Sequence, residues 1–91
     1  MPLLVAGYFD PVVADHARRL TALGEGLTVC ILDPPDPIMS SQARAEMVAA
    51  LACVSRVIIG DARAQADRVV DETAADLAAR QALTDRILSR K

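Results

Sequence analysis

The stretch "GYFDPVVADHARRL", residues 7–20, brings a glycine, an aspartate and the only histidine of the chain together behind a short apolar run, "LLVA". These residue types suit the handling of a phosphate-bearing ligand. A glycine lets the backbone approach a ligand closely, and a helix opening at Pro11 offers free amide groups and the positive end of its dipole. His16, in the second turn of that helix, reaches the same corner and is the candidate catalytic group. Gly7, Tyr8, Phe9 and Asp10 form the approach to it. Two plainer readings stand beside these: Asp10 as a helix N-cap instead of a general base, and His16 as a half-buried helix histidine with no ligand.

The rest of the chain offers less chemistry. Cys30 lies in "LTVCIL" and Cys53 in "LACVSRVII", with no CxxC spacing and no histidine cluster, so both read as buried reduced thiols and no metal site is expected. "DPPDP", residues 33–37, carries two carboxylates and reads as a rigid loop, not a phosphate cradle. The net charge is −2, and nine arginines and one lysine are scattered among the acids. That distribution argues against a nucleic-acid partner. No apolar run approaches the roughly 18 to 20 residues needed to span a bilayer, which excludes a membrane partner of that kind and leaves a cytoplasmic protein as the expectation.

These side chains need elements to position them. Ninety-one residues, 53% apolar and 24% charged, make a single domain over residues 1–91. With one Phe, one Tyr and no Trp, the core has to be built from Ala, Val, Leu and Ile. Three runs read as buried parallel strands: Leu3 to Phe9, Leu27 to Leu32 and Ser55 to Ile59. The first helix is expected from Asp10 and Pro11 to Gly24, with Val13, Ala17, Leu20 and Leu23 as its apolar stripe. A second helix follows a cap at Ser40 or Ser41 and turns Met47, Val48 and Leu51 inward.

Beyond Gly60 an unbroken helix to Lys91 would run about 45 Å, longer than so small a domain. A break is therefore expected, with "DRVV" as a brief fourth strand or extended segment and Thr73 with Asp76 as a capping box restarting the helix. The segment from Gly60 to Asp67 is short for a parallel crossover. In the last helix, about Ala74 to Arg90, Ala74, Leu77, Ala78 and Leu88 share one face, and Leu83 and Ile87 the other. One face covers the sheet and the other is free to meet a partner. The fold class is α/β: a small Rossmann-like three-layer domain with a parallel sheet of three strands, or four with a short last one, and a C-terminal helix.

In the first corner the chain resembles the cytidylyltransferase-like nucleotidyltransferases, whose signature reads G-x-F-D-P-x-H-x-G-H. Gly7, Phe9, Asp10, Pro11 and His16 fall in register with it. The stretch "RAEMVAALACVSRVIIGD", residues 44–61, looks like that family's arginine-led helix and following strand. The resemblance implies transfer of a nucleotidyl group from CTP or ATP to a phosphorylated small molecule, releasing pyrophosphate, with Mg2+ accompanying the nucleotide. It assigns the catalytic role to His16 and nucleotide contacts to Gly7, Tyr8, Phe9, Asp10 and Arg44. Departures are specific. Val13 stands where the first signature histidine would be, Asp15 where the glycine would be, the only lysine is Lys91, and the late serine- and threonine-rich turn has no counterpart.

Losing one transition-state donor typically costs about 3 to 4 kcal/mol. Several losses together imply a degenerate domain without transferase activity, acting as a dimerising or partner-binding module; the alternative is a nucleotide binder or nucleotidyltransferase that uses the surviving residues. Because the family's sheet runs in the order 3-2-1-4-5, a chain with few strands would bring its first strand towards an edge. A homodimer is the economical way to cover such an edge.

Overall fold

In the computed structural model, residues 3–10 and 14–89 are described, with the side chains of all of these except 84 and 87–89. Pro11, Val13, the side chains of Ile87 and Leu88, and Lys91 therefore lie outside the described residues. The elements are β1 (Leu3–Gly7), α1 (Ala14–Leu23), β2 (Leu27–Ile31), α2 (Ser41–Ala49), β3 (Val54–Ile59), a 3-10 turn (Arg63–Gln65), β4 (Arg68–Asp71) and α3 (Thr73–Ser89). All strand pairs are parallel, in the order β3-β2-β1-β4. This is a small Rossmann-like α/β domain with a four-stranded sheet.

β1 lies inside the sheet, with Leu4, Val5 and Ala6 fully buried. The expectation that it would approach an edge fails because "RVVD" pairs along it, Val69 opposite Leu4 and Val70 opposite Val5. The exposed edges belong to β3 and β4. Strand β1 stops at Gly7, short of the expected Phe9, because Phe9 takes a left-handed backbone conformation with φ +50°.

One face of the sheet packs against α1 and α2, joining Val5, Val29 and Ile31 to Leu20, Ala45 and Val48. The opposite face is covered thinly, by the strap that carries the 3-10 turn: Ala62 closes over Leu4, Ala6 and Cys30. That strap is the abbreviated crossover foreseen between Gly60 and Asp67. Cys30 and Cys53 are both buried and free.

Helix phases differ from the sequence reading. In α1 the buried residues are His16 and Leu20, while Leu23 is exposed. In α2, capped by the Ser40 hydroxyl accepting from the Ala43 amide at 3.1 Å, Arg44 takes an inward slot with Ala45 and Val48, and Met47 turns out to solvent. In α3 the face bearing Ala74, Leu77 and Ala78 is exposed, and Ala75, Asp76, Ala79 and Leu83 turn inward. Alanine-rich helices offer several faces of similar apolarity, so polar anchors decide which one is buried.

Candidate functional site

The corner is built at the carboxyl end of β1. The left-handed turn at Phe9 directs two successive amides, of Tyr8 and Phe9, to one side of the chain, an arrangement that holds anions. The anion they hold is Asp76 of α3. Its Oδ2 accepts from the Tyr8 amide at 2.8 Å and from the Phe9 amide at 3.3 Å. Its Oδ1 lies 2.6 Å from His16 Nε2, which donates to the carboxylate, and 3.6 Å from the Arg19 guanidinium. Arg19 also pairs with Glu72 at 3.2 Å. The Phe9 ring packs beside the His16 imidazole, 5.0 Å between centroids.

Gly7 is required by this approach. A Cβ there would stand 2.7 Å from Asp76 Oδ2 and 2.7 Å from the Phe9 ring edge, closer than real atoms come. The glycine that sequence reasoning assigned to ligand approach thus admits a carboxylate of the same chain. His16 and Asp76 are both buried, and the carboxylate is compensated by two amides, an imidazole and a guanidinium. A buried charge so surrounded offsets its desolvation, and removing its partners is costly, about 3 to 5 kcal/mol.

Asp10 and Arg44 sit beside this cradle and face the other way. The Asp10 carboxylate accepts from the Ile38 amide at 2.7 Å and the Met39 amide at 2.9 Å. It ties down the end of the proline loop. Arg44, only 1% exposed, spends its guanidinium on the protein. Nη1 donates to the carbonyls of Tyr8 at 3.0 Å and Leu32 at 2.8 Å, and Nε to those of Met39 at 3.1 Å and Ser40 at 3.3 Å. Nη2 reaches Asp33 Oδ1 at 2.7 Å. Read as a solvated or nucleotide-facing arginine from the sequence, Arg44 is in this structure a strut joining the ends of β1 and β2 to the loop before α2.

The structure thus brings Gly7, Tyr8, Phe9 and His16 into one cradle, with Asp10 and Arg44 bracing it. Asp76 is the residue sequence reasoning missed. Its spacing from Thr73 predicts a capping box, but its carboxylate is spent on the cradle; at the helix start the Thr73 amide and hydroxyl donate to Asp71 Oδ1 at 3.0 and 2.6 Å, and the Asp76 amide to the Glu72 carbonyl at 2.8 Å. Asp15, at the signature's glycine position, is exposed and pairs with Arg18, whose hydrogen bond holds its carboxyl below the usual range.

Away from the corner, Arg63 bridges Asp61 and Asp71, at 2.8 and 3.1 Å. The Arg63 side-chain and backbone donors pull the Asp61 carboxyl down to about 2, and Thr73's hydroxyl and amide, with Arg63, lower that of Asp71. Burial pushes the Cys30 thiol up. Among the described residues no cluster of three or more His, Cys, Asp or Glu is placed to hold a metal, so the magnesium implied by the resemblance has no protein cage there. Nor is any helix among them long and apolar enough to cross a membrane. Compared with family models, curated proteins and solved structures, the chain matches none.

Proposed function

We propose that this chain is a degenerate, cytidylyltransferase-like domain without transferase activity that works as a binding module, in a homodimer or with a partner protein of the cytoplasm. The observation that carries this reading is the Asp76 carboxylate seated on the Tyr8 and Phe9 amides and on His16. A nucleotidyl transferase needs those donors for the phosphates that gain charge in the transition state. Here they are satisfied before any substrate arrives. The exposed face of α3, with Leu77 39% accessible between Ala74 and Ala78, supplies apolar surface for association. Two buried free thiols suit a reducing compartment.

The test is direct. With CTP or ATP, magnesium and a panel of phosphorylated alcohols, the intact chain releases no pyrophosphate above background; steady release overturns the reading. Light scattering after size exclusion checks the association, a homodimer being expected in the absence of another partner.

A second reading, nucleotide binding without transfer, is favoured by the cradle itself. Two converging amides, a buried histidine and an arginine form a set that suits a phosphate as well as a carboxylate. Calorimetry with CTP and ATP distinguishes the two readings.

A further inference from the structure

Helix α3 is held to the body of the protein by charge. None of its described side chains belongs to either apolar core cluster, and among them only Asp76 is buried. Ala75, Ala79 and Leu83 turn inward only partly buried, and a further polar anchor is Arg80, which donates to the carbonyls of Pro35 at 2.9 Å and Asp36 at 2.5 Å. Beside α1 it leaves an open groove of about 320 Å³ lined by Ala14, Asp15, Arg18, Ala79 and Leu83, among others, so the two helices are not packed tightly along their length.

The cradle, in contrast, is braced from the side away from α3. The Tyr8 carbonyl is fixed by Arg44, the Gly7 carbonyl accepts from the Leu32 amide at 2.9 Å, and the Phe9 ring is part of the apolar core. The two backbone amides that meet Asp76 therefore keep their orientation when the carboxylate leaves. Arg19, whose Nη2 lies 3.6 Å from Asp76 Oδ1, is itself incompletely satisfied: its Nε is buried without a hydrogen-bond partner. A carboxylate has two oxygens, and a phosphate group has a third.

We propose that α3 is a displaceable latch: Asp76 is an internal ligand occupying an oxyanion cradle, and a phosphate-bearing ligand that takes the cradle expels Asp76 and frees the helix. This rests on the reading of the corner as a site that binds without transferring. Glu72, directly before α3, stays with the sheet, its amide donating to the Ala6 carbonyl at 2.7 Å while its side chain pairs with Arg19, so the helix hinges after this residue. Because the ligand binds only when the latch is open, its apparent affinity is reduced by the fraction of time the latch is closed.

Isothermal titration of the intact chain with inorganic pyrophosphate, and separately with CTP, tests this. Asp76→Ala binds pyrophosphate tighter than the parent chain by about tenfold or more, the gain expected for a latch closed about nine-tenths of the time or longer. Adding His16→Ala abolishes the gain. Arg80→Ala, which removes the bonds from α3 to the proline loop, tightens binding in the same direction, and pyrophosphate speeds amide exchange across residues 73–86 of the parent chain. The latch is refuted if Asp76→Ala, folded by circular dichroism, binds no tighter than the parent. Should that variant fail to fold, an Arg80→Ala chain with unchanged affinity and unchanged exchange refutes it equally. A gain with either anion supports the latch, and the ratio of the two affinities tells a nucleotide phosphate from a free one. Pyrophosphate release by the parent chain would overturn the absence of transferase activity and leave the latch standing.

Discussion

Replacing Arg44 by methionine tests whether this residue is scaffold or ligand contact. Methionine keeps most of the buried stem and removes every donor, so the loss falls on the acceptors. The carbonyls of Tyr8 and Leu32, at the ends of adjacent strands, lose a guanidinium that meets them at 3.0 and 2.8 Å. A buried carbonyl left without its donor costs about 1 to 3 kcal/mol. The carbonyls of Met39 and Ser40 border an exposed loop and recover water, and the Asp33 side chain is 72% accessible, so these add little. The sum is about 3 kcal/mol, against a total stability of about 5 to 14 kcal/mol for 91 residues. At about 4 to 8 °C per kcal/mol for a domain of this size, Tm falls by about 12 to 24 °C in a thermal melt followed by circular dichroism. Arg44→Lys, with a single ammonium in place of the planar fork, recovers less than half of that. A solvated arginine would give a change within about 0.5 kcal/mol, and a shift that small would refute the strut.

Other substitutions read other parts of the structure. Gly7→Ala forces a methyl to within 2.7 Å of Asp76 Oδ2 and of the Phe9 ring, so it lowers stability by about 1 to 3 kcal/mol in urea melts. Asp61 has a lowered folded pKa, so its contribution is present above the ordinary carboxylate range and disappears as pH falls towards about 2; Arg63→Gln, which removes the side-chain part of its cause, loses most of it at neutral pH, and the two melting curves converge in acid. The Cys30 thiol is raised, so it favours the folded state below the ordinary thiol range, and that contribution declines as pH rises above it; a thiol reagent labels Cys30 at neutral pH only at the rate of opening.

The strands of "LLVA" and "LTVCIL" were legible because buried parallel strands need only apolar continuity; "SRVII" has the same continuity and is a strand, but as the edge of the sheet it is not buried, Ile59 being 49% exposed. "RVVD" was legible for another reason: a single long helix did not fit the domain. Helix phase was less accessible. Leu23 and Met47 looked like inward residues by periodicity and are exposed, since His16 and Arg44 claim those faces through bonds to distant backbone. The candidate corner was found, but its occupant was not. Asp76 lies 60 residues from His16, and its only local signal, a carboxylate three residues after a threonine, is the signal of a cap. The order β3-β2-β1-β4 settles the matter: it places the start of α3 at the carboxyl end of β4, beside the end of β1.

Two buried charges of opposite sign meet across one residue here. Tyr8 gives its amide to Asp76 and its carbonyl to Arg44. The two ends of that residue do unlike work. Arg44 donates to four backbone carbonyls, of the residues that follow β1 and β2 and of the loop before α2, so its charge is distributed over structure that must be in place for the sheet to end as it does. Asp76 accepts from backbone amides already fixed by that structure, and it belongs to a helix whose described side chains add none to the apolar core clusters. Removing the cation therefore takes the cradle with it, whereas removing the anion leaves a cradle that is formed and unsatisfied. Buried donors without an acceptor are costly, and any oxyanion able to reach them relieves that cost. The asymmetry makes Asp76, and not the arginine that the sequence singled out, the residue whose substitution converts this corner from filled to receptive.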